Sequence, residues 1–172
     1  TPGEPKMIAR EGLLFVGLGA VMAAGRAALA FVTGAVFPYA LSALCAAFAL
    51  FCCFFFRDPE RPLPADASKI YSPGDGTVLS VGREGPGDIL TVRIFLSIFD
   101  VHIQRFPCSG TVSKVHYQTG SFRAAMAAEA KNNERNVVTI AVAGREAVVS
   151  VEQIAGLIAR RIRCWTGAGE PA

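Results

Sequence analysis

The sequence predicts an α+β chain, in which an N-terminal hydrophobic helical hairpin precedes one small, mostly β domain. Three observations predict it. The chain is 52% hydrophobic over 172 residues, with a mean hydropathy of +0.39, too apolar for a single ordinary water-soluble domain. That excess is confined to the first third, where Ala27 to Phe56 runs without a charge and LLFVGLGAVMAAG precedes Arg26. From Arg57 onward the pattern changes to short runs rich in Val and Ile, separated by glycine turns.

The first element spans residues 1–56. A bilayer core needs roughly 20 apolar residues per helix, so Gly12 to Phe56 is long enough to cross twice. Phe37-Pro38-Tyr39 is the expected turn, because proline breaks helices and aromatic rings favour the interface. A secretory leader has an apolar core of only about 7 to 15 residues, much shorter than this region. A buried soluble hairpin would need a polar face, which FALFCCFFF does not offer. Lys6 and Arg10 before the hairpin, and Arg57, Arg61 and Lys69 after it, predict that both flanks lie on the cytoplasmic side of the inner membrane. Arg26 conflicts with a deep span, since a buried charge costs about 2.5–3.5 kcal/mol on insertion scales; either it snorkels or the hairpin lies shallow.

The second element, residues 57–172, begins with the proline-rich linker RDPERPLPADASK. The expected strands are GTVLSV, DILTVRIFL, VHIQRF, GTVSKVHY, NVVTIAV and EAVVSV. FRAAMAAEA, 122–130, reads as a helix on propensity, and VEQIAGLIARRIRCW as either a helix or a strand with a bulge at Gly156.

Composition excludes several classes. The five cysteines have neither a framework nor metal-ligand spacing, and the formal charge of +3 leaves no footprint for nucleic acid. The Arg160, Arg161, Arg163 cluster suits either anionic lipid head groups or a solvated face. Phosphate-loop, Gly-x-Ser-x-Gly and paired metal-histidine motifs do not occur.

The chemistry-bearing residues are few. Asp75 stands in the Pro-Gly-Asp-Gly turn of YSPGDGTV, where aspartate alone is an ordinary turn former. His102 and His116 are the two histidines, and strand alternation would put His102 on one face with Asp100 and Gln104. Taken singly, each is a hydrogen-bonded strand histidine more often than a catalyst.

Taken in order, SPGDGTV, IFLSIFDVHIQRFPCSGTV, NNERN and VEQIAG, with the lead-in FFRDPERPLP, resemble the short bacterial and archaeal form of phosphatidylserine decarboxylase from Phe54 to about Trp165. The resemblance implies a proenzyme that cleaves itself at a Gly-Ser motif and converts the serine to a pyruvoyl group at the head of a small α chain. That group forms a Schiff base with phosphatidylserine and serves as an electron sink during decarboxylation to phosphatidylethanolamine. It implies that Asp75 helps to activate the serine and that His102 returns a proton to the carbanion.

The long bacterial form has a second histidine where this chain has Arg105, so either His102 serves both steps or Arg105 holds only a phosphate or carboxylate. Arg135 and Asn136 are expected to line the pocket, and Phe122 and Met126 to dip into the head-group layer. No Gly-Ser motif follows VEQIAG, and Gly120-Ser121 reads as a turn. The expectation is a large β chain whose pyruvoyl group sits on a separate small α chain outside this sequence. The expected partners are therefore that chain, phosphatidylserine and membrane lipid, with a homodimer left open, and neither metal nor nucleic acid. The alternatives are a non-catalytic membrane-anchored β module and an inactive family member lacking the pyruvoyl segment. A lipoyl-type carrier needs a lysine at a hairpin tip, and no lysine here is flanked as those are.

Overall fold

The structure, a computed structural model, describes residues 7–62, 66, 68–124 and 128–172. Two helices come first, α1 (Arg10–Thr33) and α2 (Val36–Phe55). The chain reverses at Gly34, whose left-handed φ of 66° suits glycine and whose N–H donates to Ala30 O. The turn predicted at Phe37-Pro38-Tyr39 is therefore corrected. Pro38 lies in the first turn of α2, where a missing N–H costs nothing because that group has no partner within the helix.

Small residues let the two helices pack closely. Gly19 and Ala49 face each other so tightly that a Cβ on Gly19 would stand 3.0 Å from that of Ala49. Ser42 Oγ adds an interhelical bond to Ala23 O at 2.8 Å. The outward faces are apolar: Leu14, Val21, Phe31, Val32 and Leu50 are all at least 70% exposed. Both helices are long and apolar enough to cross a membrane. Their base is closed by the backbone, since Ala9 N–H donates to Phe56 O at 2.8 Å and Asp58 N–H to Met7 O at 3.0 Å. Both flanks of the hairpin therefore emerge together.

The chain forms two compact units, Thr1–Pro62 with Gly74–Ile103, and Leu63–Pro73 with Gln104–Ala172. The first holds the hairpin and a two-stranded antiparallel sheet of β1 (Thr77–Glu84) and β2 (Ile89–Phe95). Thr77 pairs with Phe95, so the residues before β1 and those after β2 leave from the same end. Gly76 marks that end: its φ is +125°, and a Cβ there would stand 2.5 Å from Phe95 O. The strand predicted over VHIQRF does not form. Residues 101–106 have no regular secondary structure, so the shared strand face of Asp100, His102 and Gln104 is overturned as well.

The second unit holds a three-stranded antiparallel meander of β3 (Gly110–Gln118), β4 (Arg135–Val142) and β5 (Val148–Ile154). Along β4 the side chains of Asn136, Val138 and Ile140 are buried in alternation, as a period of two requires. Val112, Val138 and Ile140 form the core, with Cys108 and Val115 against it. Residues 169–172 cover the free edge of β3 through Val112 N–H to Glu170 O and Ala172 N–H to Gly110 O, both at 2.9 Å.

The segments expected as EAVVSV and VEQIAG contribute to one strand, β5, which takes the strand alternative and ends before Gly156. The helix predicted over 122–130 is corrected in its described part. Phe122 to Ala124 have no regular structure, and a short 3-10 helix occupies Ala128–Asn132. Helix propensity loses here to Asn133, which is 1% exposed. Its Oδ1 accepts from Arg123 N–H at 2.9 Å, and its Nδ2 donates to Arg123 O at 2.9 Å and Ala155 O at 2.8 Å. These bonds occupy the Arg123 backbone groups that a helix would use.

Two outcomes follow for the purified protein in detergent. Asn133→Ala removes three bonds to backbone groups, the one to Ala155 O fully buried, and should cost about 1–3 kcal/mol in chemical unfolding; a loss under about 0.5 kcal/mol would contradict this role of Asn133. Gly76→Ala should cost about 1–3 kcal/mol through its φ and its collision with Phe95 O, whereas Gly144→Ala, at φ +70° in open space, should cost less.

Candidate active site

Two sequence-predicted residues fall in the first unit, Asp75 immediately before the β1–β2 hairpin and His102 in the irregular segment that follows it. Asp75 lies two residues before β1, half-buried. Its carboxylate accepts from Arg61 Nη2 at 2.6 Å and 2.8 Å. With side chains 50% and 37% exposed, the pair is worth about 0–1 kcal/mol, too little to hold the fold. Its effect is to orient the carboxylate.

His102 lies seven residues after the end of β2, in a stretch without a strand ladder, and is half-buried. Nδ1 stands 3.0 Å from Asp100 O. A carbonyl only accepts, so Nδ1 carries the hydrogen, which leaves Nε2 as the exchangeable nitrogen. Among the described residues Nε2 has no hydrogen-bond partner. The phenyl ring of Phe55 lies 4.4 Å from the imidazole, centroid to centroid, at a tilt of 35°. The preceding turn is fixed by Asp100, whose Oδ2 accepts from Ser97 N–H at 2.7 Å.

The remaining predicted residues lie in the second unit. Arg105 is exposed, and its backbone N–H donates to Pro73 O at 2.7 Å. Arg135 bonds Glu152 Oε1 at 2.7 Å and also donates to Lys131 O and Asn133 O. Asn136 is 1% exposed and donates to Gln153 Oε1 at 3.1 Å. Phe122 is half-buried with the Arg160 guanidinium 5.8 Å over its ring, and Met126 lies outside the described residues.

A cleft of about 230 Å³ in this unit is lined by Tyr117, Glu134, Arg161, Ile162 and Arg163. The Tyr117 hydroxyl bonds the Glu134 carboxylate, which pushes the phenol above its ordinary pKa. Burial pushes the Cys108 thiol up, which disfavours the thiolate and with it a nucleophilic role.

Arg61 and Phe55 were not singled out by the sequence reading, although both lie in or beside the FFRDPERPLP lead-in. Their signal was there: a charged, aromatic segment directly after an apolar hairpin has to bond something.

Comparison with known proteins bears on the same residues. The family model for phosphatidylserine decarboxylase matches residues 48–172, from within α2 through both units. The phosphatidylserine decarboxylase proenzyme of Paraburkholderia phytofirmans is 41% identical over 170 residues, covering 96% of this chain and 76% of the relative. Those of Paraburkholderia xenovorans and Burkholderia cenocepacia are 40% and 41% identical over the same length, with the same coverage. With the family match extending over most of the chain and relatives near 40% identity over nearly all of it, this chain belongs to the phosphatidylserine decarboxylase family.

Proposed function

We propose that this chain is the large β chain of a membrane-associated enzyme that decarboxylates phosphatidylserine to phosphatidylethanolamine, using a pyruvoyl group made by self-cleavage of a proenzyme. The observation that carries the reading is the state of His102: one ring nitrogen is committed to Asp100 O, and the other is uncommitted among the described residues. That donor chemistry fits a carbonyl-type electron sink, which supplies electron withdrawal but not the proton that replaces carbon dioxide.

When bound, the pyruvoyl group supplies the carbonyl that draws electrons from the substrate's α-carbon as carbon dioxide leaves. His102 and Asp75 would border it. Protonated His102 delivers the proton on Nε2 to the α-carbon, while Nδ1–H stays bonded to Asp100 O and keeps the ring oriented. Phe55 screens one face of the imidazole from water. In the precursor, the Asp75 carboxylate, aimed by Arg61, helps to activate the serine. Arg105, on an exposed loop, is suited to a phosphate or carboxylate, and Arg135 and Asn136 brace β4 against β5.

The relatives' description as proenzymes supports a second, small α chain. Exposed Val81, Leu90 and Val92, on one face of the two-stranded sheet, offer it an apolar surface. The exposed apolar hairpin supports attachment to the inner membrane with the site on the cytoplasmic side, where phosphatidylserine is met in the bilayer.

In the full precursor, purified and assayed for carbon dioxide release from phosphatidylserine vesicles, His102→Ala should lower kcat about 10²–10⁴-fold, and His116→Gln less than about threefold. Full activity in His102→Ala would exclude it as the proton donor. Asp75→Asn and Arg61→Gln should both slow appearance of the short chain on denaturing gels, Asp75→Asn the more, because Arg61 acts only through the carboxylate. Wild-type cleavage rates in both would remove the pair from the self-processing step.

A further inference from the structure

In the reading above the hairpin is only a tether, yet its last turn touches the imidazole. Phe55, the last residue of α2, packs on His102 at 4.4 Å. Phe56 meets Phe55 edge-on at 5.1 Å and stacks on Phe15 of α1 at 5.8 Å, with the planes 5° apart. A continuous row of rings thus runs from α1 to the histidine. Arg57 makes a second link: Nη1 donates to Phe54 O at 2.8 Å and Nη2 to Phe99 O at 2.7 Å, with the guanidinium 4.0 Å over the Phe54 ring.

These links matter because residues 101–106 have no strand ladder to hold them. His102 is oriented along one edge by Asp100 O and across one face by Phe55. Asp100 is itself tied to Ser97, in a turn that Arg57 fastens to the end of α2 through Phe99. If Phe55 were removed, the imidazole could tilt about its single hydrogen bond.

We infer that Phe55 is a positioning residue for His102, so that the last turn of the membrane helix is part of the site and sets turnover as well as location. The inference rests on His102 being the proton donor. It separates two effects that a plain tether would merge: partition onto a bilayer, and turnover of a substrate that needs no bilayer.

The test uses the full processed enzyme in detergent micelles with a water-soluble, short-chain phosphatidylserine. Phe55→Leu should lower kcat by on the order of tenfold or more, because a small misplacement of a reacting group is costly, while KM stays within about twofold. Phe55→Trp, which keeps an aromatic face, should recover most of the loss. Phe48→Leu, which also removes a ring from α2 but one not recorded against His102, should turn over at the wild-type rate. The imidazole signals that vanish in His102→Gln identify those of His102, and Phe55→Leu should move these ring C–H resonances downfield as the ring current is lost. Unchanged kcat and resonances in Phe55→Leu, or an equal loss in Phe55→Trp, would overturn the inference. If His102→Ala is inactive in that same assay, the proton-donor reading survives such a failure; if it is active, both fall.

Discussion

The four residues Phe54 to Arg57 tie the helical hairpin to the segment that carries His102. Phe56 O receives the Ala9 N–H that closes the base of the hairpin, Phe55 packs on His102, and Arg57 binds Phe99 O. A helix ends with carbonyls that have no partner within it, and this helix ends where the apolar run gives way to Arg57. The Arg57 guanidinium meets one of those carbonyls and uses its second nitrogen on the loop that carries the histidine. A lysine, with one ammonium point charge and no planar fork, could not bridge the two in the same way.

That constraint explains an arrangement that otherwise looks uneconomical. The β1–β2 hairpin is two strands wide, too small to stabilise itself, and several of its apolar side chains are exposed. It belongs to the same compact unit as the helices, and the two candidate catalytic residues flank it in the chain, Asp75 just before β1 and His102 in the segment after β2. Asp75 is steered by Arg61 from the segment after α2, and His102 by Phe55 at the end of α2. If the hairpin is set in a bilayer as proposed, building the site on its foot would fix the height of the chemistry above the lipid.

Much of this was legible in the sequence. α2 lies inside a charge-free run and α1 in an apolar stretch interrupted past its first turn only by Arg26, and β1 to β5 fall on five of the predicted strands, because alternation and glycine turns are local signals. The misses share a cause. VHIQRF alternates like a strand but has no partner to pair with, since a hydrogen-bonded ladder is a property of two segments. FRAAMAAEA has high helix propensity, which the four-way bonding of Asn133 outweighs at Arg123. Pro38 was read as a breaker when its place in the first helical turn makes it harmless. Of the site, Asp75 and His102 were found only through ordered motifs, since neither stands out alone. Phe55 and Arg61 stand in a segment whose composition calls for partners, but which partners they have is visible only in three dimensions.

The central claim is pyruvoyl-dependent decarboxylation, and the most direct measurement is the intact mass of every polypeptide in the natively processed protein, before and after borohydride reduction in the presence of phosphatidylserine. The account predicts two polypeptides, the shorter of which gains the mass of a trapped substrate or product amine. A preparation that releases carbon dioxide from phosphatidylserine while no polypeptide gains mass would contradict it.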